Sequence, residues 1–285
     1  MFSKRTAPIL VILVAAALVL LAVWLAGRVL NGDDSLLRNA SVRDAAITPN
    51  ADGDTDATLI RYELSRNASV SIYLENAAGQ RFYFRQDKPR GTGEYEVLFS
   101  GVVDGYRLPG ETIDGDILAR LLRDGDYTWT IVATDLAGVT ETQSGALTIS
   151  AADPQLPEIR NFSLDKDTFT PNRDGIADRI LAQLYLPKEV ASLRVYLQMA
   201  DGSEAPIAEQ ERDIPLNMPG RHYFDYEGGV DNGETPPPDG TYPLIAVAED
   251  LEGQRVRVES ELTIQFGGVP RGYIISPPTG NTVQW

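Results

Sequence analysis

Two short runs of oxygen-bearing side chains are the residues of this sequence best suited to chemistry. In each run the side chains stand close together around one glycine, Gly53 or Gly175. Calcium prefers six to eight oxygen ligands, and glycine lets the backbone turn sharply around the ion. Both runs are therefore predicted calcium sites. The alternative is a plain turn, because Asn, Asp and Gly are also the preferred turn residues. The candidate ligands are Asn50, Asp52, Asp54 and Asp56 in the first run and Asn172, Asp174 and Asp178 in the second.

The second run is predicted to bind calcium more weakly than the first, because Ile176 stands where the first run has Asp54. Neither run has the spacing of an EF-hand, whose glycine is at position six and whose last ligand is a glutamate. If each run joins the first two strands of a β-sandwich, counting strands up and down places a later turn at the same end. Asp135 and Asp250, which lie in those turns, are second-tier ligand candidates.

Composition excludes several classes of function. The chain of 285 residues has no cysteine and one histidine, His222, so disulfide scaffolds, thiolate metal sites and multi-histidine centres are excluded. Its formal net charge of −16 makes nucleic acid an unsuitable partner, because phosphate binding needs an excess of Lys and Arg. Adjacent acidic residues do not make a hydrolytic site, which needs two carboxyl groups facing each other across a cleft. We therefore expect no enzyme activity and no organic cofactor; an envelope hydrolase is the remote alternative.

The chain contains an internal duplication. The segment Ile47–Gly53 matches Phe169–Gly175 at an offset of 122 residues, and Ser69–Leu74 matches Ser192–Leu197 at 123. Later matches fall from an offset of 127 to one of 115, so the first copy holds 12 extra residues between Asp104 and Asp124. Apolar side chains every four residues within 113–123 predict a short helix, either a lid over the core or a docking feature.

Each copy predicts antiparallel β-structure. Apolar side chains alternate with polar ones through 58–64, 70–74, 95–99 and 127–133, and again through 193–197 and 242–248. About seven short strands per copy, separated by Asn, Asp and Gly turns, predict two immunoglobulin-like sandwiches. Trp129 is a predicted core residue. Tyr73 and Tyr196 have the opposite parity and are predicted to point outward, half-exposed or stacked on sugar rings.

The motifs around these turns resemble a known kind of domain. The pattern TPNxDGxxD near the start of each copy, with DGxYxxxxxAxDxxG near its end, resembles the Ig-like domains of the flagellar hook-capping protein. It is also similar to related bacterial surface modules that occur in tandem. The resemblance covers residues 36–266 and implies the sandwich fold, a spacer or adhesion role, and a calcium site at the aspartate run. It does not extend to flagellar assembly.

The start of the chain predicts its location. Residues 7–27 carry no charge and are long enough to span a bilayer, with Lys4 and Arg5 before them and Arg28 after them. More cations before the span than after it predict a cytoplasmic N-terminus and an extracytoplasmic remainder. The alternative is a cleaved signal peptide. The predicted parts are a cytoplasmic segment 1–6, a membrane helix 7–30, Ig-like domains 36–150 and 158–266, a linker 151–157 and a Gly/Pro-containing tail 267–285.

We therefore predict a single-pass membrane protein that displays two calcium-stiffened modules at the bacterial cell envelope. Its expected role is structural, or an interaction with an envelope protein or glycan that the sequence does not identify. The leading alternative is a carbohydrate- or peptidoglycan-binding surface module.

Overall fold

The computed structural model describes residues 35–210 and 214–266. Throughout these residues the chain is built of β-strands with one 3-10 turn, Val230–Asn232, and the described part contains no α-helix. Alternating polar and apolar side chains produce this result, because a period of two buries one face of each strand. The all-β class expected from the sequence is confirmed. Residues 7–30, the predicted membrane helix, lie outside the described residues, and no helix within those residues is long and apolar enough to cross a membrane.

Residues 36–150, here the first module, form two sheets packed face to face. One sheet has the order β1-β3-β6 and the other β2-β10-β9-β4-β5. Side chains from both sheets share one buried cluster that includes Phe99, Trp129 and Ile131, so the expected core position of Trp129 is confirmed. The strands of this module are β1 Leu37–Val42, β2 Ala46–Ile47, β3 Thr58–Leu64, β4 Ala68–Asn76, β5 Arg81–Arg90, β6 Gly93–Phe99, β7 Val102–Asp104, β8 Asp116–Leu121, β9 Gly125–Asp135 and β10 Thr140–Ile149.

Residues 158–266, the second module, repeat this arrangement. Sheet β11-β13-β16 packs against a sheet that contains β15, β14, β17 and β18, around a separate buried cluster that includes Phe169, Phe224 and Leu244. As in the first module, a two-residue strand pairs in parallel with the last strand. The strands are β11 Arg160–Leu164, β12 Thr168–Phe169, β13 Ile180–Leu186, β14 Ser192–Gln198, β15 Glu204–Ile207, β16 Gly220–Tyr226, β17 Gly240–Glu249 and β18 Arg255–Ile264.

The extra residues of the first module form the turn and the second strand of a β-hairpin, not the predicted helix. Strand β7 pairs with β8, and β8 pairs in turn with β18 of the second module. The prediction is wrong because this segment finds backbone partners on both sides, β7 on one and the edge of β18 on the other. The result is one continuous sheet across both modules, ordered β15-β14-β17-β18-β8-β7.

Candidate functional site

The first aspartate loop, residues 48–56, is closed by its own hydrogen bonds. The Asp56 carboxylate accepts the backbone N–H of Asn50 and Ala51 at 3.1 and 2.9 Å through Oδ1, and that of Gly53 at 2.7 Å through Oδ2. Asn50 Oδ1 accepts the N–H of Asp52 at 3.1 Å, and Asp52 Oδ1 accepts the N–H of Asp54 at 2.9 Å. The side chains predicted as metal ligands therefore organise the backbone of the loop.

The second aspartate loop, residues 170–178, repeats every one of these bonds. Asp178 accepts the backbone N–H of Asn172, Arg173 and Gly175 at 3.0, 2.7 and 2.6 Å. Asn172 and Asp174 accept the N–H groups two residues ahead of them, at 3.0 and 2.9 Å. Positive φ angles of 62° at Arg173 and 83° at Gly175 match those of 60° at Ala51 and 89° at Gly53. The repeated motif thus encodes one loop geometry.

Charges around the two loops differ. Arg179, just after the second loop, bonds Asp225 and Asp231 at 2.7 and 2.6 Å, and Arg173 donates to the carbonyl oxygen of Val230. The first loop has Ala51 and Ala57 at these two positions. Asp54 is exposed, and its carboxylate makes no hydrogen bond within the described residues. Nowhere in 35–210 and 214–266 do three acidic or histidine side chains form a group suited to holding a metal ion.

Asp135 and Asp250 do not join the aspartate loops, so that prediction is wrong. Asp135 pairs with Ala68 at the start of β4, beyond the end of β3, whereas the first aspartate loop precedes β3. The up-down count fails because the two-residue strand β2 pairs in parallel with the end of β10. Asp135 bonds Arg66 Nε at 2.7 Å and accepts two backbone N–H groups of its own turn. The hydrogen bond from Arg66 lowers the pKa of Asp135.

The turn Asp250–Gln254 lies at the junction of the two modules. Gln254 is fully buried: its Nε2 donates to the carbonyl oxygens of Asp153 and Gln155 at 3.2 and 3.0 Å, and its Oε1 accepts the N–H of Leu121 at 3.2 Å. One side chain therefore joins the second module, the linker and the hairpin of the first module. Nothing in the spacing of the sequence marks this residue.

Lys188 lies at the same junction, among three carboxylates. Its Nζ is 3.2 Å from Asp250, 3.3 Å from Asp153 and 3.7 Å from Glu252, and it donates to the carbonyl oxygen of Gln155 at 2.8 Å. Burial opposes the lysine charge, but attraction to Asp250 and its neighbours outweighs this and raises the pKa of Lys188. Burial, together with the charge of Asp250, raises the pKa of Glu252. The lysine ammonium supplies the positive charge that these acids need.

The outward tyrosines are covered, so their expected exposure is wrong. Tyr73 and Tyr196 are only 9% and 8% exposed. The guanidinium of Arg81 lies 4.7 Å from the centre of the Tyr73 ring, and that of Arg194 lies 5.4 Å from the Tyr196 ring. His222 is buried too, with Nδ1 2.5 Å from Glu209 Oε1. These rings offer no open stacking surface for a sugar.

Comparisons with known proteins identify structural likeness only. No protein-family model and no curated protein matches the chain. Among solved structures, a tetra-tandem repeat in the extending region of a large adhesion protein is 14% identical, with 80% of this chain and 48% of that chain covered and a TM-score of 0.26. A 1.5-MDa bacterial ice-binding adhesin is 11% identical, with 79% and 64% covered and a TM-score of 0.23. A Ca²⁺-stabilised adhesin of an Antarctic bacterium is 13% identical, with 80% and 49% covered and a TM-score of 0.24.

All three structural neighbours are adhesins, and this chain spans about half to two thirds of their length. Because each TM-score is far below 0.5, we base the functional proposal on contacts within this chain.

Proposed function

We propose that this protein is a rigid spacer of the cell envelope, built from two immunoglobulin-like sandwiches and held at the membrane by residues 7–30. A spacer must keep its two ends at a fixed distance, so its modules must not swing about the linker. Modules joined by a linker alone move relative to one another unless they share a large interface. The function therefore depends on what fixes the junction.

The observation that carries the proposal is the pairing of β8 with β18. A strand of the first module is hydrogen-bonded into the sheet of the second, through Ala119, Ile117 and Asp116 opposite Arg255, Val256 and Arg257. Bending at the junction would break these bonds as well as those of Gln254. The junction therefore resists bending through backbone contacts, which do not depend on an added ion.

Spin-label distances test this rigidity, and the absence of cysteine makes the labelling specific. Labels at Ala78→Cys and Ala200→Cys, in corresponding exposed turns of the two modules, are expected to give one narrow distance distribution in the full chain. Gly115→Ala is expected to broaden it, since a Cβ there would overlap the carbonyl oxygen of Arg257. A distribution that is already broad before this substitution would overturn the proposal.

Gly110→Ala is the matched control for Gly115→Ala. Both glycines lie in the β7–β8 hairpin with nearly equal φ angles, +78° and +76°, so both substitutions carry the same backbone strain. A Cβ at position 110 meets nothing within 4 Å. Broadening by the alanine at 115 but not by the one at 110 separates loss of the junction from strain in the hairpin.

Calcium at the first aspartate loop is the second part of the proposal. Asp52 and Asp54 are exposed, and their carboxylates offer the oxygen ligands that calcium prefers. The second loop has Ile176 in place of Asp54 and two nearby arginines, which repel a cation. We expect calorimetric titration of the full chain to show a first site that Asp54→Ala weakens and a second site that Ile176→Asp tightens. If calcium addition gives no heat of binding with any of these proteins, this part of the proposal is refuted. The proposed rigid spacer role does not depend on that result.

A further inference from the structure

An open groove runs along the edge strand β15 of the second module. It has a volume of about 620 Å³, and its apolar wall includes Ala205, Ile207, Tyr226 and Pro236. Pro206 lies in this edge strand and has no N–H to donate, so the edge is poorly suited to adding a further strand. A ligand of this groove is therefore expected to bind through its side chains.

The first module fills the corresponding space with aromatic rings. Phe82 of β5 corresponds to Ala205 at the offset of 123 residues, and its ring centre lies 4.7 Å from that of Tyr106 and 6.2 Å from that of Tyr127. Tyr106 belongs to the extra residues that the second module lacks. The second module thus lacks the aromatic side chains that fill this space in the first. An apolar segment from elsewhere can occupy the groove in their place.

The rim of the groove selects against an acidic occupant. Among the described residues, four carboxylates line it and no Lys or Arg does. Glu204 and Asp225 are ion-paired with Arg194 and Arg179, whereas Glu227 and Glu234 have no ion pair among the described residues. Burial raises the pKa of Tyr226 to about 12, and the charges of Glu227 and Glu234 add to the effect. An apolar segment with a positive charge and no acid fits these surroundings.

The segment 267–285 has this composition, and the described residues that precede it end near the groove. Its only charged side chain is Arg271, followed by the apolar run Tyr273-Ile274-Ile275. The last strand ends at Ile264, which pairs with Gly240, two residues after Pro238 in the groove wall. Strand β15 is three strands from β18, about 14 Å. The seven residues from Phe266 to Tyr273 can span up to about 25 Å.

We propose that the segment 267–285 docks in this groove of its own chain. Tyr273 and the isoleucines after it take the place that Phe82 and Tyr106 occupy in the first module, and Arg271 lies against Glu227 and Glu234. The segment then completes the core of the second module.

Disulfide trapping in the full chain tests the docking, again without competing cysteines. Thr235→Cys on the rim is combined in turn with a cysteine at Gly272, Ile274 or Ser276. We expect at least one pair to form a disulfide within the monomer. A disulfide only between two chains would assign the groove to a second copy, and no disulfide in any pair would reject the docking. Leu136→Cys, fully exposed in the first module, replaces Thr235→Cys as the control for random collision.

A second measurement keeps the proposal falsifiable if the cysteines perturb the groove. Tyr273→Ala is expected to speed amide exchange at Ala205 and Ala208 about tenfold, the change that follows from losing one buried aromatic side chain. Amides of the first module, such as that of Ile131, should be unaffected. Unchanged exchange at β15 would overturn the proposal, and the distance between the spin labels in the two modules would not depend on this result.

Discussion

The two modules each contain an aspartate loop of the same geometry, but the turn after β9 in the first differs from the turn after β17 in the second. The Asn and Asp side chains of their aspartate loops accept the same backbone hydrogen bonds, whereas the turns after β9 and β17 differ in their side chains. The first turn has Ala137 and Val139, and Leu136 at its tip is 97% exposed. The second has Glu252 and the buried Gln254 at the corresponding positions. Duplication preserved the element that shapes each sandwich, and substitution at two positions of a turn accompanies the joining of the modules.

The largest expected change in the free energy of unfolding compares how tightly the two modules pack around Trp129 and Leu244. Gly145 lies opposite Trp129, and a Cβ there would come within 2.6 Å of the indole ring; the second module has Ser260 opposite Leu244. Gly145→Ser should lower the free energy of unfolding by about 2–3 kcal/mol, because the core cannot yield to the added atoms. Chemical denaturation followed by far-UV circular dichroism measures it. Ser260→Gly, the reverse exchange, should cost no more than about 1 kcal/mol.

The next effect tests whether the shared loop is held by hydrogen bonds. Asp56→Ala removes three charge-assisted bonds and should cost about 2 kcal/mol even with a chelator present. Asp54→Ala removes a carboxylate from the same loop without breaking such a bond, so it should be nearly neutral there. Thermal melting of the full chain compares them. Equal losses from the two substitutions in chelator would contradict the geometry, and Asp178→Ala should match Asp56→Ala.

A smaller effect distinguishes the turn after β17, which lies at the junction of the modules, from the corresponding turn after β9. Gln254→Ala should cost about 1–2 kcal/mol, because it leaves the N–H of Leu121 and the carbonyl oxygens of the linker unpaired. Val139→Ala changes the corresponding residue, 45% exposed in the first module, and should stay within about 0.5 kcal/mol. Amide exchange at Leu121 should accelerate only in the Gln254 variant. Acceleration in both variants would mean that Gln254 has no special role.

The smallest expected change is a stabilisation, whereas the substitutions above destabilise the protein. The pKa of Glu252 is raised in the folded protein, so folding is disfavoured once the pH is high enough to ionise this carboxyl. Glu252→Gln should therefore stabilise the protein near pH 8 and have little effect near pH 4. Melting temperatures across this range measure the difference. Glu249→Gln, at an exposed carboxylate of the same module, should show no such pH dependence.

Local patterns predicted the strands well and the insertion badly. Alternation placed β3, β4, β6, β9, β14 and β17 because each of them packs every second side chain into the core of its own module. The residues 113–123 also contain a four-residue apolar spacing, which favoured a helix. Their partner strand is β18, more than 130 residues later in the chain. The local sequence pattern does not indicate that the edge of β18 is available for pairing.

The sequence by itself determined the duplication, the all-β class and the grouping of the aspartate residues, because these depend on neighbours within a few residues. Only the tertiary structure decided that Asp56 and Asp178 bond backbone amides, that β8 completes a sheet of the other module, and that Lys188 and Gln254 meet at the junction. Those outcomes depend on groups far apart in the chain, whose contacts are fixed by how the two sandwiches pack.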